Sequence, residues 1–95
     1  MTITIKREMT ITHADFFRIL PKALKNNQYE VSLNGVTIAE TEKRLEIKLS
    51  PESSRSIGAL KLPVTNLEFR FEGYTAEQTD IFMRQFDRSF HKGGG

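Results

Sequence analysis

Residues 60–90, LKLPVTNLEFRFEGYTAEQTDIFMRQFDRSF, leave this chain few ways to fold, because they hold five of its seven Phe. Leu67, Phe69 and Phe71 alternate with Glu68, Arg70 and Glu72, the pattern of a strand with one buried and one wet face. Leu60, Leu62 and Val64 also alternate, but on even positions. A shift of one residue sends side chains to the opposite face, so the parity change predicts a bulge or turn at 63–66. Pro63 lacks an N–H and favours an edge, bulge or bend there. One long bent strand is the preferred reading, with a tight hairpin as the alternative.

Gly73 can relax the chain after this strand, and Thr75 starts a helix. Thr75 and Gln78 have the spacing of a capping box, in which each side chain satisfies a free N–H at the other residue. Glu77 and Asp80 set negative charge by the positive end of the helix dipole. A step of 100° per residue collects Thr79, Phe82, Met83, Phe86 and Phe90 on one face and Glu77, Arg84, Arg88 and His91 on the other. The Phe/Met stripe reads as ordinary core. Gly93 is the expected helix stop.

The chain has 95 residues and no Cys. That length suits one domain with a single core, assigned here to residues 1–92 with 93–95 as a flexible tail. The missing Cys excludes disulfides, thiolate metal ligands and cysteine nucleophiles. Fourteen basic against twelve acidic residues give a net charge of +2, too mild to imply nucleic acid by itself. No apolar run approaches the ~20 residues of a membrane span. The start alternates Thr and Ile and carries Lys6, unlike a signal peptide, so the expected location is cytoplasmic, with no membrane partner.

From the beginning, Ile3, Ile5, Met9 and Ile11 share one parity, so 2–11 reads as a strand that frays toward Met9. Arg7 has the inward parity, and a bulge or an edge position that lets it reach water accounts for it. Thr12 caps a helix with Asp15 in its first turn, and Ile11 and Phe16 are placed as a hydrophobic staple. Phe16, Phe17, Leu20, Ala23 and Leu24 form its apolar arc, opposite Asp15, Arg18, Lys22 and Lys25. Pro21 inside the pattern predicts a kink or a break into two short turns. His13 falls on the apolar side and reads as a hydrogen-bonded first-turn residue rather than a ligand or base.

Tyr29, Val31 and Leu33 alternate, as do Val36 and Ile38, with Asn34-Gly35 between them. Asn-Gly in that position signals a hairpin whose two turn residues need positive φ. Leu45, Ile47 and Leu49 make a further strand, and 51–54 reads as a polar loop. The order β-α-β(4)-α gives the α+β class, with a five-stranded, mainly antiparallel sheet and two helices on one face. In element order this is similar to the TATA-binding-protein-like and helix-grip topologies, and a topology carries no activity with it.

The sequence has no G-x-S-x-G elbow, phosphate-binding loop, dinucleotide fingerprint or H-E-x-x-H. His13 and His91 lie far apart with no carboxylate at ligand spacing. No catalytic, cofactor-binding or metal residue is assigned, and an enzyme is disfavoured. The leading expectation is a non-catalytic binding or accessory protein that meets a protein partner, or itself, through a helix face or sheet edge. Ile81, on the polar side of its helix, is the candidate protein contact, against the plain alternative of a lone exposed Ile. The runner-up is a sequence-nonspecific nucleic-acid or anionic-ligand binder using the basic stripes Arg18/Lys22/Lys25 and Arg84/Arg88/Lys92. Against it, Asp15, Asp80 and Asp87 can pair with these residues, and no exposed aromatic is interleaved for base stacking. A third reading is a small-molecule cavity with Arg7 and His13 as its polar groups. Gly93-Gly94-Gly95 is similar to the Gly-Gly ends of sulfur-carrier and ubiquitin-like proteins, but those tails follow a strand, whereas this one follows a helix.

Overall fold

The computed structural model describes residues 2–24 and 28–94, with side chains as far as Phe90. Among the described residues the order is β1 (Thr2–Met9), α1 (His13–Ala23), β2 (Glu30–Ser32), β3 (Gly35–Ala39), β4 (Arg44–Leu49), β5 (Ser53–Ile57), β6 (Leu60–Glu72) and α2 (Ala76–Gly94). All strand pairs are antiparallel, in the order β1-β6-β4-β3-β2, with β5 paired to β6 off that path. The first strand therefore lies beside the last one, and β6 is the central rail of the α+β fold.

One face of this sheet is the core. Leu67, Phe69 and Phe71 of β6 pair with Leu49, Ile47 and Leu45 of β4, and all six are buried. Helix α2 meets them through Phe86, whose ring centroid is 4.8 Å from that of Phe69, and through Phe82, 5.6 Å from Phe71. Helix α1 joins through Phe16, which stacks on Phe90 at 5.2 Å. Phe17 and Phe82, expected in the core, are only partly buried, while Ile19, absent from the expected arc, is buried.

Both caps form as their spacing requires. Thr12 Oγ1 accepts from Asp15 N at 3.1 Å. Thr75 N donates to Gln78 Oε1 at 2.9 Å while Gln78 N donates to Thr75 Oγ1 at 3.0 Å, a reciprocal box. Helix α1 is not broken at Pro21. The proline sits two residues before the helix ends, so the bond it removes lies in a terminal turn, and Leu24 N still reaches Leu20 O at 3.0 Å. Helix α2 runs to Gly94 rather than stopping at Gly93, and helix ends vary at this scale. Gly95 lies outside the described residues.

Three expectations about the strands are corrected. The β2–β3 turn is Leu33–Asn34, not Asn34-Gly35, because Ser32 pairs with Gly35. Neither turn residue has a positive φ. Gly35 is instead a strand residue pressed on β4: a Cβ there would lie 2.7 Å from Ile47 O. The second correction concerns β6: it is one long strand, as preferred, but it is continuous through 63–66 and has no turn there. Thr65 keeps the inward parity, fully buried, with its hydroxyl donating to Ile11 O at 2.9 Å. The extra residue is on the opposite strand, where Ser50, Pro51 and Glu52 stand against Thr65 and Asn66 between the pairs Leu49↔Leu67 and Ser53↔Val64. Leu60, Leu62 and Val64 have changed parity because they belong to the other face. Third, the expected polar loop contains part of a sixth strand, β5.

Hydrogen-bond direction in β6 explains Pro63. Ser50 N donates to Asn66 O, so even residues of β6 bond toward β4 and β5 and odd ones toward β1. β1 pairs only as far as Met9↔Thr65. The N–H that Pro63 lacks would have pointed into the open space beyond that end.

Candidate protein-docking surface

Beyond Thr65 the β5–β6 hairpin leaves the core as a two-stranded arm. Its tip is the two-residue loop Gly58-Ala59 between the paired Ile57 and Leu60. Gly58 has φ 59° and Ala59 does not have positive φ, the arrangement of a type II′ turn, which matches strand twist. Cross-strand partners share a face, so Ile57 with Leu60, Arg55 with Leu62, and Ser53 with Val64 line one side. Ser54, Ser56, Lys61 and Pro63 line the other.

Burial falls along that apolar side. Val64 at the root is buried and Leu62 is half-buried, whereas Ile57 is 55% and Leu60 64% exposed. The root is held by polar contacts to the body. His13 Nε2 lies 2.7 Å from Ser50 O, His13 N donates to the Glu52 carboxylate, and Asn66 N donates to Ser50 Oγ at 2.9 Å. Arg55 pairs with Glu8 of β1. The arm is thus clamped at its base and uncovered at its apolar tip.

The residues singled out from the sequence are placed elsewhere. Arg7 sits on the core-side parity of edge strand β1 and reaches Asp87 of α2 at 3.4 Å, so the edge position accounts for it and no bulge is involved. His13 is a hydrogen-bonded first-turn residue. Arg7 reaches toward α2 while His13 reaches the β4–β5 connection, and none of the described concavities is lined by both. In the basic stripes, Arg18 pairs with Asp15 at 3.4 Å and Arg84 with Asp80 at 2.7 Å. Lys25 and the side chains of Lys92 and His91 lie outside the described residues. Ile81 is exposed at 48%, the single large apolar residue so exposed on α2 among the described residues.

The outer face of the sheet is a ladder of alternating charge. Lys6, Glu68 and Lys48 run across β1, β6 and β4, then Arg70 and Glu46, then Glu72 and Arg44. Opposite charges on adjacent strands hold one another, and Arg44 also reaches Glu46 at 3.3 Å. Such a face presents no extended patch of one sign. Among the described residues no group of three His, Asp or Glu is placed to hold a metal, and no helix is long and apolar enough to cross a membrane.

Sequence reasoning missed Ile57, Leu60 and Arg55 as surface residues of interest. The signal was a glycine at the first position of a two-residue gap between apolar residues, Ile57-Gly58-Ala59-Leu60, which is a hairpin signature.

A second cluster lies at the opposite end of β6. Tyr74 packs against Phe71 at 5.1 Å between ring centroids and lies under Lys43, whose Nζ is 5.1 Å from the ring centre. Burial, and then Glu40, raise the Tyr74 phenol above its ordinary range. A raised pKa means that the folded form holds its proton when the unfolded chain has released it. The stability due to this effect is complete below about pH 10, the unfolded value, and is lost as pH rises through the folded value. Thermal melts of wild type and Tyr74→Phe from about pH 8 to 11 should show a steeper alkaline decline in wild type. Equal slopes would contradict this assignment.

In comparisons with known proteins, the chain matches no family model, no curated protein and no solved structure.

Proposed function

We propose that the chain is a small non-catalytic binding protein that docks a protein partner on the apolar side of the β5–β6 arm. The observation that carries this reading is the exposure of Ile57 and Leu60 on a ribbon with no core of its own. An isolated two-stranded hairpin is marginal in water, and fully burying an aliphatic side chain is worth about 1.5–3 kcal/mol. A partner that covers both residues therefore stabilises the arm and gains affinity in the same step. Arg55 is already paired with Glu8, which leaves an apolar contact with a polar rim, the usual anatomy of a docking surface.

The anionic-ligand reading has less support, because Arg18, Arg84 and Arg7 each have an acidic neighbour and the outer sheet face alternates in sign. For the fold, the strand order with β1 beside β6 supports a TATA-binding-protein-like or helix-grip topology, which by itself assigns no activity.

The test is Ile57→Lys with Leu60→Lys, since both side chains are solvent-facing and their replacement leaves the core intact. The double variant should melt within a few degrees of wild type, and a protein that co-purifies with wild type should be lost. If the variant retains that same protein equally well, the arm is not the docking surface.

A further inference from the structure

Folded proteins blunt their free strand edges, because an open row of N–H and C=O groups recruits another strand. Here β2 is three residues long, and the open side of β6 beyond Met9↔Thr65 carries Lys61 and Pro63. β5 turns outward only at Ser54 and Ser56, since Ser53, Arg55 and Ile57 face β6. The long edge is β1, eight residues from Thr2 to Met9. Its Ile3, Ile5, Arg7 and Met9 bond to Phe71, Phe69, Leu67 and Thr65, so Thr2, Thr4, Lys6 and Glu8 direct their N–H and C=O groups outward.

Its own charges restrict how this edge can meet a copy of itself. With the helices of both copies on one side, antiparallel self-pairing must put a residue opposite its own counterpart on a two-fold axis. An axis at Lys6, Arg7 or Glu8 sets like charges face to face, which is destabilising. An axis at Ile5 sets Ile5 against Ile5, Thr4 against Lys6, Ile3 against Arg7 and Thr2 against Glu8, with no like pair directly opposed. Every outward N–H and C=O then finds a partner, whereas an axis at Thr4, which also opposes no like charges, leaves those of Glu8 unpaired.

The ground beside β1 fits this register. Arg7, Glu8, Met9, Asp87, Arg88 and Phe90 line a concavity of about 530 Å³ between the end of β1 and α2. Pairing centred on Ile5 brings Ile3 of a second copy opposite Arg7, on the helix side of the sheet, at the mouth of that concavity with Met9 and Phe90 in its lining. Arg7 Nη2 is held by Asp87 of α2 at 3.4 Å, while its Nη1 lies 3.5 Å from Lys6 O, a long contact that the Thr4 N–H of a second copy would replace.

We infer that the chain self-associates as a two-fold dimer through antiparallel pairing of β1 with β1 of a second copy, centred on Ile5. The two sheets become one, and the arms stay outside the contact. One edge strand buries less than the ~800 Å² per partner of a standard interface, so the dimer is a weak, reversible one.

Sedimentation velocity from about 1 to 500 µM, a span bracketing micromolar affinity, should show monomer giving way to dimer. Thr4→Pro removes an outward N–H that the chain's own sheet does not use, so it should stay monomeric with an unchanged far-ultraviolet spectrum. The cysteine-free background permits a second reading of the same contact. Facing residues at a non-hydrogen-bonded pair have Cα atoms about 4.5 Å apart, within disulfide reach. Mild oxidation should therefore link Ile5→Cys into a covalent dimer far faster than Thr4→Cys or Lys6→Cys. This comparison decides the matter even if Thr4→Pro fails to fold. A wild type that is monomeric throughout, a Thr4→Pro that still dimerises, or faster linking at Thr4→Cys or Lys6→Cys than at Ile5→Cys would each overturn the proposal.

Discussion

Phe86→Ala is expected to lower stability by about 3–5 kcal/mol, the usual range for truncating a buried Phe. Phe86 is 1% exposed, and its ring lies 4.3 Å from that of Phe90, 4.8 Å from Phe69, 6.2 Å from Phe82 and 6.4 Å from Phe16. It touches both helices and the central strand, so no single neighbour can move in to fill the space. A domain of this size has only about 5–15 kcal/mol in total, so the variant should be marginal. Urea unfolding monitored by circular dichroism gives the value. A loss under about 1 kcal/mol, typical of surface sites, would show that α2 does not pack as described.

Gly73→Ala is expected to be of similar severity for a different reason. Gly73 has φ 77°, where an L-residue with a Cβ is strained by about 1–2 kcal/mol. A Cβ there would also lie 2.2 Å from Glu42 O, and forcing atoms into filled space costs a further ~1–3 kcal/mol. Together these predict a loss of roughly 2–5 kcal/mol. Gly58→Ala is the natural comparison: its φ is 59°, but nothing lies within 4 Å of the added carbon. It should lose only the conformational share, about 1–2 kcal/mol. Equal losses in the two variants would mean that the β3–β4 loop yields freely to the new methyl group.

The elements legible in the sequence are those whose cause is local. Thr12 and Thr75 cap helices because of residues three positions away, and both caps stand as expected. Leu67, Phe69 and Phe71 alternate because one side of β6 is buried. Arg7 was recognisable as an irregularity, although its partner Asp87 lies 80 residues away and no periodicity announces it.

What escaped has a tertiary cause. Asn34-Gly35 carries the composition of a hairpin loop, yet Gly35 answers to the close approach of the β4 backbone, a constraint invisible from within the β2–β3 segment. β5 escaped because neither of its sides is buried, so Ser53, Ser54, Arg55 and Ser56 show no apolar alternation. The parity change in β6 is visible in the sequence, but a single strand cannot reveal that the extra residue lies across the ladder, at Ser50–Glu52. The candidate surface was missed for a related reason: an apolar stripe matters only when it faces away from the core, and parity alone does not say which face is which.

The docking role of the arm is tested most directly by placing a photo-crosslinking phenylalanine analogue at Leu60, with Arg84 as the control position, and irradiating the cells that make the protein. Both side chains are exposed and lie on different elements. The account predicts a discrete covalent adduct with one protein species from position 60 and none of that mass from position 84. No adduct at position 60, or the same ladder of adducts from both positions, would contradict it.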